Sequence, residues 1–348
     1  MDLLGAGALA YAFSRPADRP AVAETSAPAA TRHAQSTGLT TPARGQTSVA
    51  PSRVRLAPAT RMPHPSMPRA PALPASASAQ AAARPAPALK ANARASFASL
   101  RSRLQPEARI AIAIQPLGRG TLEVLGGDPA MQAMSTSKIL ILSALLRDKR
   151  GVHNFTPDQI QLARAAITQS DNSAILALFS DLEADRGGLL GASAYATSLL
   201  RGVGDDQTQV TTAPPPPGYA TTFGQTPWTP TAEVGFFRAL ALGCVLPRAD
   251  TDFELGLMRD IEPSESFGLG AAGFPQVGFK GGWGPEPENQ YGVRQTGIIG
   301  AGDSGVVVSL IADPVSTFTV GQSVLDQVAQ WLRREVRLTR RPAGACPA

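Results

Sequence analysis

AMSTSKILILSALL, residues 133–146, runs from small and polar residues into a segment that is apolar but for Ser143. With Arg147 and Lys149 behind it, the stretch 135–149 reads as a helix with serine at its start and basic residues at its end. The apolar run makes it a buried helix, with Lys138 at its edge. Residues three apart share a helix face, so Ser135 and Lys138 point the same way.

Working outward, ASFASLRSRL (95–104) places Phe97, Leu100 and Leu104 on one helical face. RIAIAIQP (109–116) alternates as a strand, and GTLEVLGG (120–127) follows a glycine-containing turn, which predicts a hairpin. Downstream, 156–170, 172–184 and 229–243 read as helices, and GDDQTQVTTAPPPPGYATTFGQ (204–225) reads as a loop. The end is strand-rich, with 276–283, 291–300 and 305–314, before a last helix over 321–336 that buries Val324, Val328 and Leu332. Strands at both ends with helices between them imply an α+β domain. Its antiparallel sheet is built from distant segments, packed by helices and interrupted by an all-helical lobe.

The folded domain spans 93–340, followed by a tail at 341–348. Residues 14–92 hold thirteen of the 31 prolines in aromatic-free, Ala/Ser/Thr-rich sequence. Such a chain buries too little apolar surface to offset its conformational entropy, so 16–92 reads as an extended, disordered spacer. Of the net charge of +5, residues 1–92 supply +7 from ten bases and three acids. The basic balance therefore belongs to the spacer. With no aromatic there to stack on bases, it does not point to nucleic acid. LLGAGALAYAF (3–13) is too short to span a bilayer but fits the apolar region of an export signal, one truncated by a misplaced start. The segment 1–15 is thus a signal or a peripheral membrane or cell-wall anchor, and the expectation is an exported monomer. Cys244 and Cys346 read as two idle thiols, with a bridge to the tail as the alternative for an exported chain. No His/Cys/Asp/Glu cluster calls for a metal, and no cofactor is expected.

A serine hydroxyl becomes a nucleophile when a neighbour takes its proton, and a lysine can do so once burial and a nearby cation lower its pKa. Ser135 and Lys138 fit that requirement. Ser170-Asp171-Asn172, at a helix–helix junction, offers a hydroxyl for proton relay and an amide to hold a carbonyl; the same residues also end one helix and cap the next. Lys280-Gly281-Gly282, with Trp283 after it, puts a cation beside glycines that allow close backbone approach. S-x-x-K, S-D-N and K-T-G in this order are the signature of class A β-lactamases and penicillin-binding proteins. The chain resembles class A β-lactamases over about 93–336, in AMSTSKILILSALL, AAITQSDNSAILALF and GVRQTGIIG.

The resemblance implies acylation of Ser135 by a β-lactam or a cell-wall peptide, with Lys138 as base and Ser170 as relay. Asn172 would orient substrate and Lys138, and Lys280 would supply charge near a substrate carboxylate. The amides of Ser135 and Trp283 would form the oxyanion hole, with Gly282 between Lys280 and Trp283. A D-Ala-D-Ala-type peptidase and a non-catalytic cell-wall domain are the alternatives on the same fold. Three departures stand out. Gly281 replaces the expected Thr or Ser, with Arg294 on the next strand as the candidate compensating cation. The deacylating glutamate of an E-x-x-L-N loop is missing, since no acid occurs from 207 to 232; Asp205 and Asp206 are nearest and read as braces. Only 35 residues separate Ser135 from Ser170, which shortens the lobe beside the cleft. Gly302-Asp303-Ser304-Gly305 reads as a turn between strands, and His153 has no triad partner in view.

Overall fold

The computed structural model describes residues 87–286 and 290–347. The expectations for 1–15, and for most of the 16–92 spacer, lie outside the described residues. In chain order the elements are α1 (Ala93–Leu104), β1 (Ile110–Pro116), β2 (Glu123–Leu125), β3 (Met131–Gln132), α2 (Ser137–Asp148), α3 (Pro157–Thr168), α4 (Asn172–Arg186) and α5 (Leu189–Arg201). Then follow β4 (Pro227–Trp228), α6 (Pro230–Ala241), α7 (Arg248–Arg259), β5 (Val277–Glu286), β6 (Gln290–Ile299), β7 (Val306–Val315) and α8 (Phe318–Glu335).

The main sheet runs β2-β1-β7-β6-β5 with every pairing antiparallel, and β3 pairs separately with β4. The α+β architecture read from the sequence is the one observed. Alternation along β1 explains its two faces: Ile110, Ile112 and Ile114 enter the core under α1 and α8, while Ala113 faces the helical lobe. Phe97 of α1 meets Trp331 of α8 edge-to-face, with ring centroids 5.2 Å apart. Each such buried side chain contributes about 1.5–3 kcal/mol relative to exposure. On the opposite face, α2 is buried along Ser137–Leu146 and forms the axis of the lobe, as its apolar run predicts.

The helices α5 and α7 were not visible in the sequence. A glycine, Gly188, stands at the N-cap of α5 with no side-chain cap. The buried stripe of α7 includes Asp250, Thr251 and Glu254, which mask its periodicity. Glu254 meets Ser143 Oγ of α2 at 2.7 Å, and burial raises its carboxyl well above the ordinary range.

Two expectations about the chain ends are corrected. Cys244 and Cys346 are not idle thiols but a disulfide, with Cα atoms 5.6 Å apart. The final segment is fastened to the domain rather than trailing from it: Arg119 N donates to Pro342 O, and the Arg238 guanidinium donates to Pro116 O and Ala345 O. At the other end Ala88 and Leu89 are buried, and Leu89 bridges to Val336, so the domain begins before residue 93.

Candidate active site

A left-handed residue, Met134 at φ 50°, turns the chain from β3 into a short 3-10 turn, Met134–Thr136, that carries Ser135. Thr136 Oγ1 and Ser137 Oγ donate back to Ala133 O and Met134 O, both at 2.6 Å. These two hydroxyls are spent holding the turn, and Ser135, half-buried, is left facing the cleft.

Lys138, one turn on, is 1% exposed. Its Nζ donates to Ser170 O and, at 2.9 Å, to Asn172 Oδ1. Burial, and secondarily the nearby Lys280, lower its pKa to about 7. Lys280 is fully buried, and its Nζ donates to Ser170 Oγ at 2.8 Å and to Gly281 O at 3.1 Å. Desolvation brings its pKa to about 8, against the pull of Glu265. Ser170 adopts φ 56°, which sends its carbonyl to one lysine and its hydroxyl to the other. A non-glycine residue held in this region is the kind of local strain that surrounding structure must hold in place. Asp171 caps α4, accepting from Ala174 N at 2.9 Å, so the triplet both starts a helix and serves the site.

The third element approaches on the edge strand β5. A Cβ on Gly282 would lie 2.9 Å from Ser135 N and from Met134 Cβ, so only glycine lets the strand come this close. A cavity of about 310 Å³ opens here, lined by Ser135, Asn172, Tyr219, Trp283, Tyr291 and Phe318 among others. Tyr219 comes from the Pro-rich loop, and its hydroxyl donates to Pro285 O, tying that loop to the end of β5. Sequence reading missed it, although a tyrosine after Pro-Pro-Pro-Pro-Gly was the available signal.

Among solved structures, the chain aligns with a class A β-lactamase from Mycobacterium abscessus at TM-score 0.54 and 19% identity, covering 70% of this chain and 98% of that one. An ancestral class A β-lactamase gives TM-score 0.53 at 20% identity, with coverage of 70% and 99%. The fold is that of a class A β-lactamase. The chromosome-encoded β-lactamase of Vibrio parahaemolyticus aligns at TM-score 0.52 and 16% identity, covering 70% and 98%. No family model and no curated protein matches the chain.

Within this β-lactamase fold the structure brings Ser135, Lys138, Ser170, Asn172 and Lys280 together, with Gly282 and Trp283 beside them. It does not bring Arg294. That side chain is fully buried behind the strand: its guanidinium donates to Met131 O, Gln132 O and Trp228 O, and to Glu233 Oε2 at 2.6 Å. The expectation that Arg294 grips a substrate carboxylate is corrected, because its charge is already neutralised inside the core. Asp205 and Asp206 also stay away. Asp205 Oδ1 braces its own loop through Gln207 N and Thr208 N, and both acids line a separate hollow beside Asp128 and Thr229.

One carboxylate acts on the lysine pair through its charge. Glu265, in a 3-10 turn between α7 and β5, is half-buried and interacts electrostatically with Lys280 and Lys138. Burial raises its pKa while the two lysines lower it. Nothing in Pro-Ser-Glu-Ser marked it, since only the tertiary fold carries this turn to the site.

Proposed function

We propose that the chain is a serine hydrolase that forms an acyl-enzyme at Ser135, acting on the amide bond of a β-lactam or a cell-wall peptide. The observation that carries this reading is Lys138: a buried amine with a pKa of about 7, one turn behind the serine and pinned between Ser170 and Asn172. In its neutral form it accepts the Ser135 proton as Oγ bonds to the carbonyl carbon. The oxyanion lies between the amides of Ser135 and Trp283. Ser170, polarised by Lys280, hands a proton to the departing nitrogen as the C–N bond breaks. With Asp205 and Asp206 outside the cleft, the loop supplies no base for water, which favours a long-lived adduct. The Cys244–Cys346 disulfide supports export to an oxidising compartment. Among the described residues no helix is long and apolar enough to cross a membrane.

The test is intact-mass analysis of the full chain after exposure to a fluorophosphonate probe and to a fluorescent penicillin, followed by peptide mapping. Both adducts are expected on the peptide containing Ser135. Folded protein with no adduct there overturns the reading.

A second expectation follows from the tight strand. Gly282→Ala pushes β5 off the Ser135 turn and spreads the two oxyanion donors, slowing acylation by up to about 10²-fold, the scale of a 1 Å misplacement. The check is the rate of Ser135 labelling at a temperature where circular dichroism shows the variant folded.

A further inference from the structure

We propose that Tyr219 closes the cleft at its Pro285 end, so that the site takes acyl donors with a single amide on the acyl side of the scissile bond and rejects an extended peptide chain there. The inference rests on the acylation reading above and narrows its substrate. Within that reading it favours a β-lactam of the benzylpenicillin type, with its one side-chain amide, over a peptide of several residues.

The direction of the acyl chain follows from the leaving group. Ser170, which protonates the departing nitrogen, is held by Lys280 Nζ at 2.8 Å. The leaving group therefore lies at the Lys280 end, and the acyl side runs from Ser135 toward Gly284 and Pro285. β5 is the edge of the sheet. An extended chain laid along an edge strand pairs with the outward N–H and C=O of every second residue. With the Trp283 amide in the oxyanion hole, the outward residues are Gly281, Trp283 and Pro285. Gly281 O already accepts from Lys280 Nζ at 3.1 Å. Trp283 receives the scissile carbonyl on its N–H and the first acyl amide on its carbonyl. Pro285, where the next edge-facing amide would arrive, has no N–H to give, and its carbonyl already accepts from the Tyr219 hydroxyl.

The space at this end is filled as well. A Cβ on Gly284 would lie 2.9 Å from Tyr219 Cε1, and one on Gly218 would lie 3.2 Å from Pro285 Cγ. The tyrosine ring and the loop backbone thus both stand against the strand. The loop that carries them is stiff: prolines 214–217 fix four successive φ angles, and Tyr219 N donates to Pro216 O at 3.1 Å. What remains beside Ser135 is a cavity of about 310 Å³, at the small end of the range for ligand sites.

Thioesters of one thiol with N-acetylglycine and with N-acetyltriglycine differ in how far the acyl side extends. With each, Ser135 Oγ bonds to the carbonyl carbon as the C–S bond breaks, and the serine proton leaves on the thiol. Rates are read as adduct by intact mass on the full chain, with the fluorophosphonate as control for a reactive serine. The short donor is expected to react about tenfold faster or more, the order of loss when polar groups are buried without partners. Tyr219→Ala should bring that ratio toward one. Tyr219→Phe, which keeps the ring and frees the Pro285 carbonyl, should bring it part of the way. Circular dichroism confirms that each variant is folded. A long donor that reacts as fast as the short one in the wild type overturns the closure and leaves the acylation reading standing. A ratio unmoved in both folded variants overturns the role of Tyr219. Fluorophosphonate labelling with no adduct from the short donor overturns the substrate class. If neither thioester nor the fluorophosphonate labels the folded protein, the acylation reading falls and this inference falls with it.

Discussion

Lys138→Met should slow acylation of Ser135 by about 10²–10⁴-fold, the range general-base catalysis supplies. Methionine keeps most of the length and apolar bulk of the lysine, so the packing around it survives. The pH dependence separates a base from a mere structural lysine. In the wild type, acylation should rise as the pH passes about 7, where Lys138 gives up its proton, and fall above about 8, where Lys280 loses the charge that polarises Ser170. The variant should lose the rising limb and keep the falling one. Stability moves in a direction that can also be checked. The folded state lowers the Lys138 pKa from 10.5, so holding its proton costs stability below about 7, and that cost fades as the pH climbs toward 10.5. Removing the amine should therefore raise the melting temperature more at pH 6 than at pH 10. A variant that acylates within fivefold of wild type, with both limbs intact, would show that Lys138 is not the base.

Much of this site was legible before any coordinates, because each of its three elements sits where local rules place it. Ser135 and Lys138 are i and i+3 at the start of a helix whose burial is written in ILILSALL. Ser170-Asp171-Asn172 is a helix cap, and Lys280-Gly281-Gly282 lies in a strand that begins near the expected residue. What stayed hidden depends on contacts between distant segments. Arg294 sits on β6 opposite Gly282, which invites a role in the cleft, yet its guanidinium goes to Glu233, 61 positions away. Glu265 has neither motif nor period, and only the path from α7 to β5 brings its charge to bear on the lysines. Cys244 and Cys346 are separated by 102 positions, so two cysteines alone could not say whether they meet. The stripe of α7 failed for a different reason: buried acids stand where apolar residues mark a helix face, and Glu254 fits because Ser143 faces it.

Arg294→Ala should destabilise the domain by about 3–5 kcal/mol, the cost of leaving one partner of a buried pair uncompensated. Both side chains of the pair are 0% exposed. Glu233 Oε2 also accepts from Ser309 Oγ at 2.7 Å and from Thr296 Oγ1, so α6, β6 and β7 converge on one oxygen. The guanidinium adds Met131 O, Gln132 O and Trp228 O, which fixes β3 and β4 just ahead of the Met134–Thr136 turn. Loss of the arginine thus strands a carboxylate and three carbonyls, and it loosens the platform that presents Ser135. Against a typical total of about 5–15 kcal/mol the loss is about a fifth or more. At about 2–4 °C per kcal/mol for a domain of this size, it should lower the melting temperature by on the order of 10 °C. Glu233→Leu alone should cost a similar amount. The double replacement Glu233→Leu with Arg294→Ala should cost much less than the two together, because it removes both desolvated charges at once. Among the described residues Glu233 Oε1 and Arg294 Nε have no hydrogen-bond partner, so the cluster is not fully satisfied even now, which adds to that recovery. Urea unfolding of the four proteins closes the cycle. Additive losses would mean that the two residues act separately. A double variant that regains stability but acylates slowly would place the value of the pair in holding the Ser135 turn.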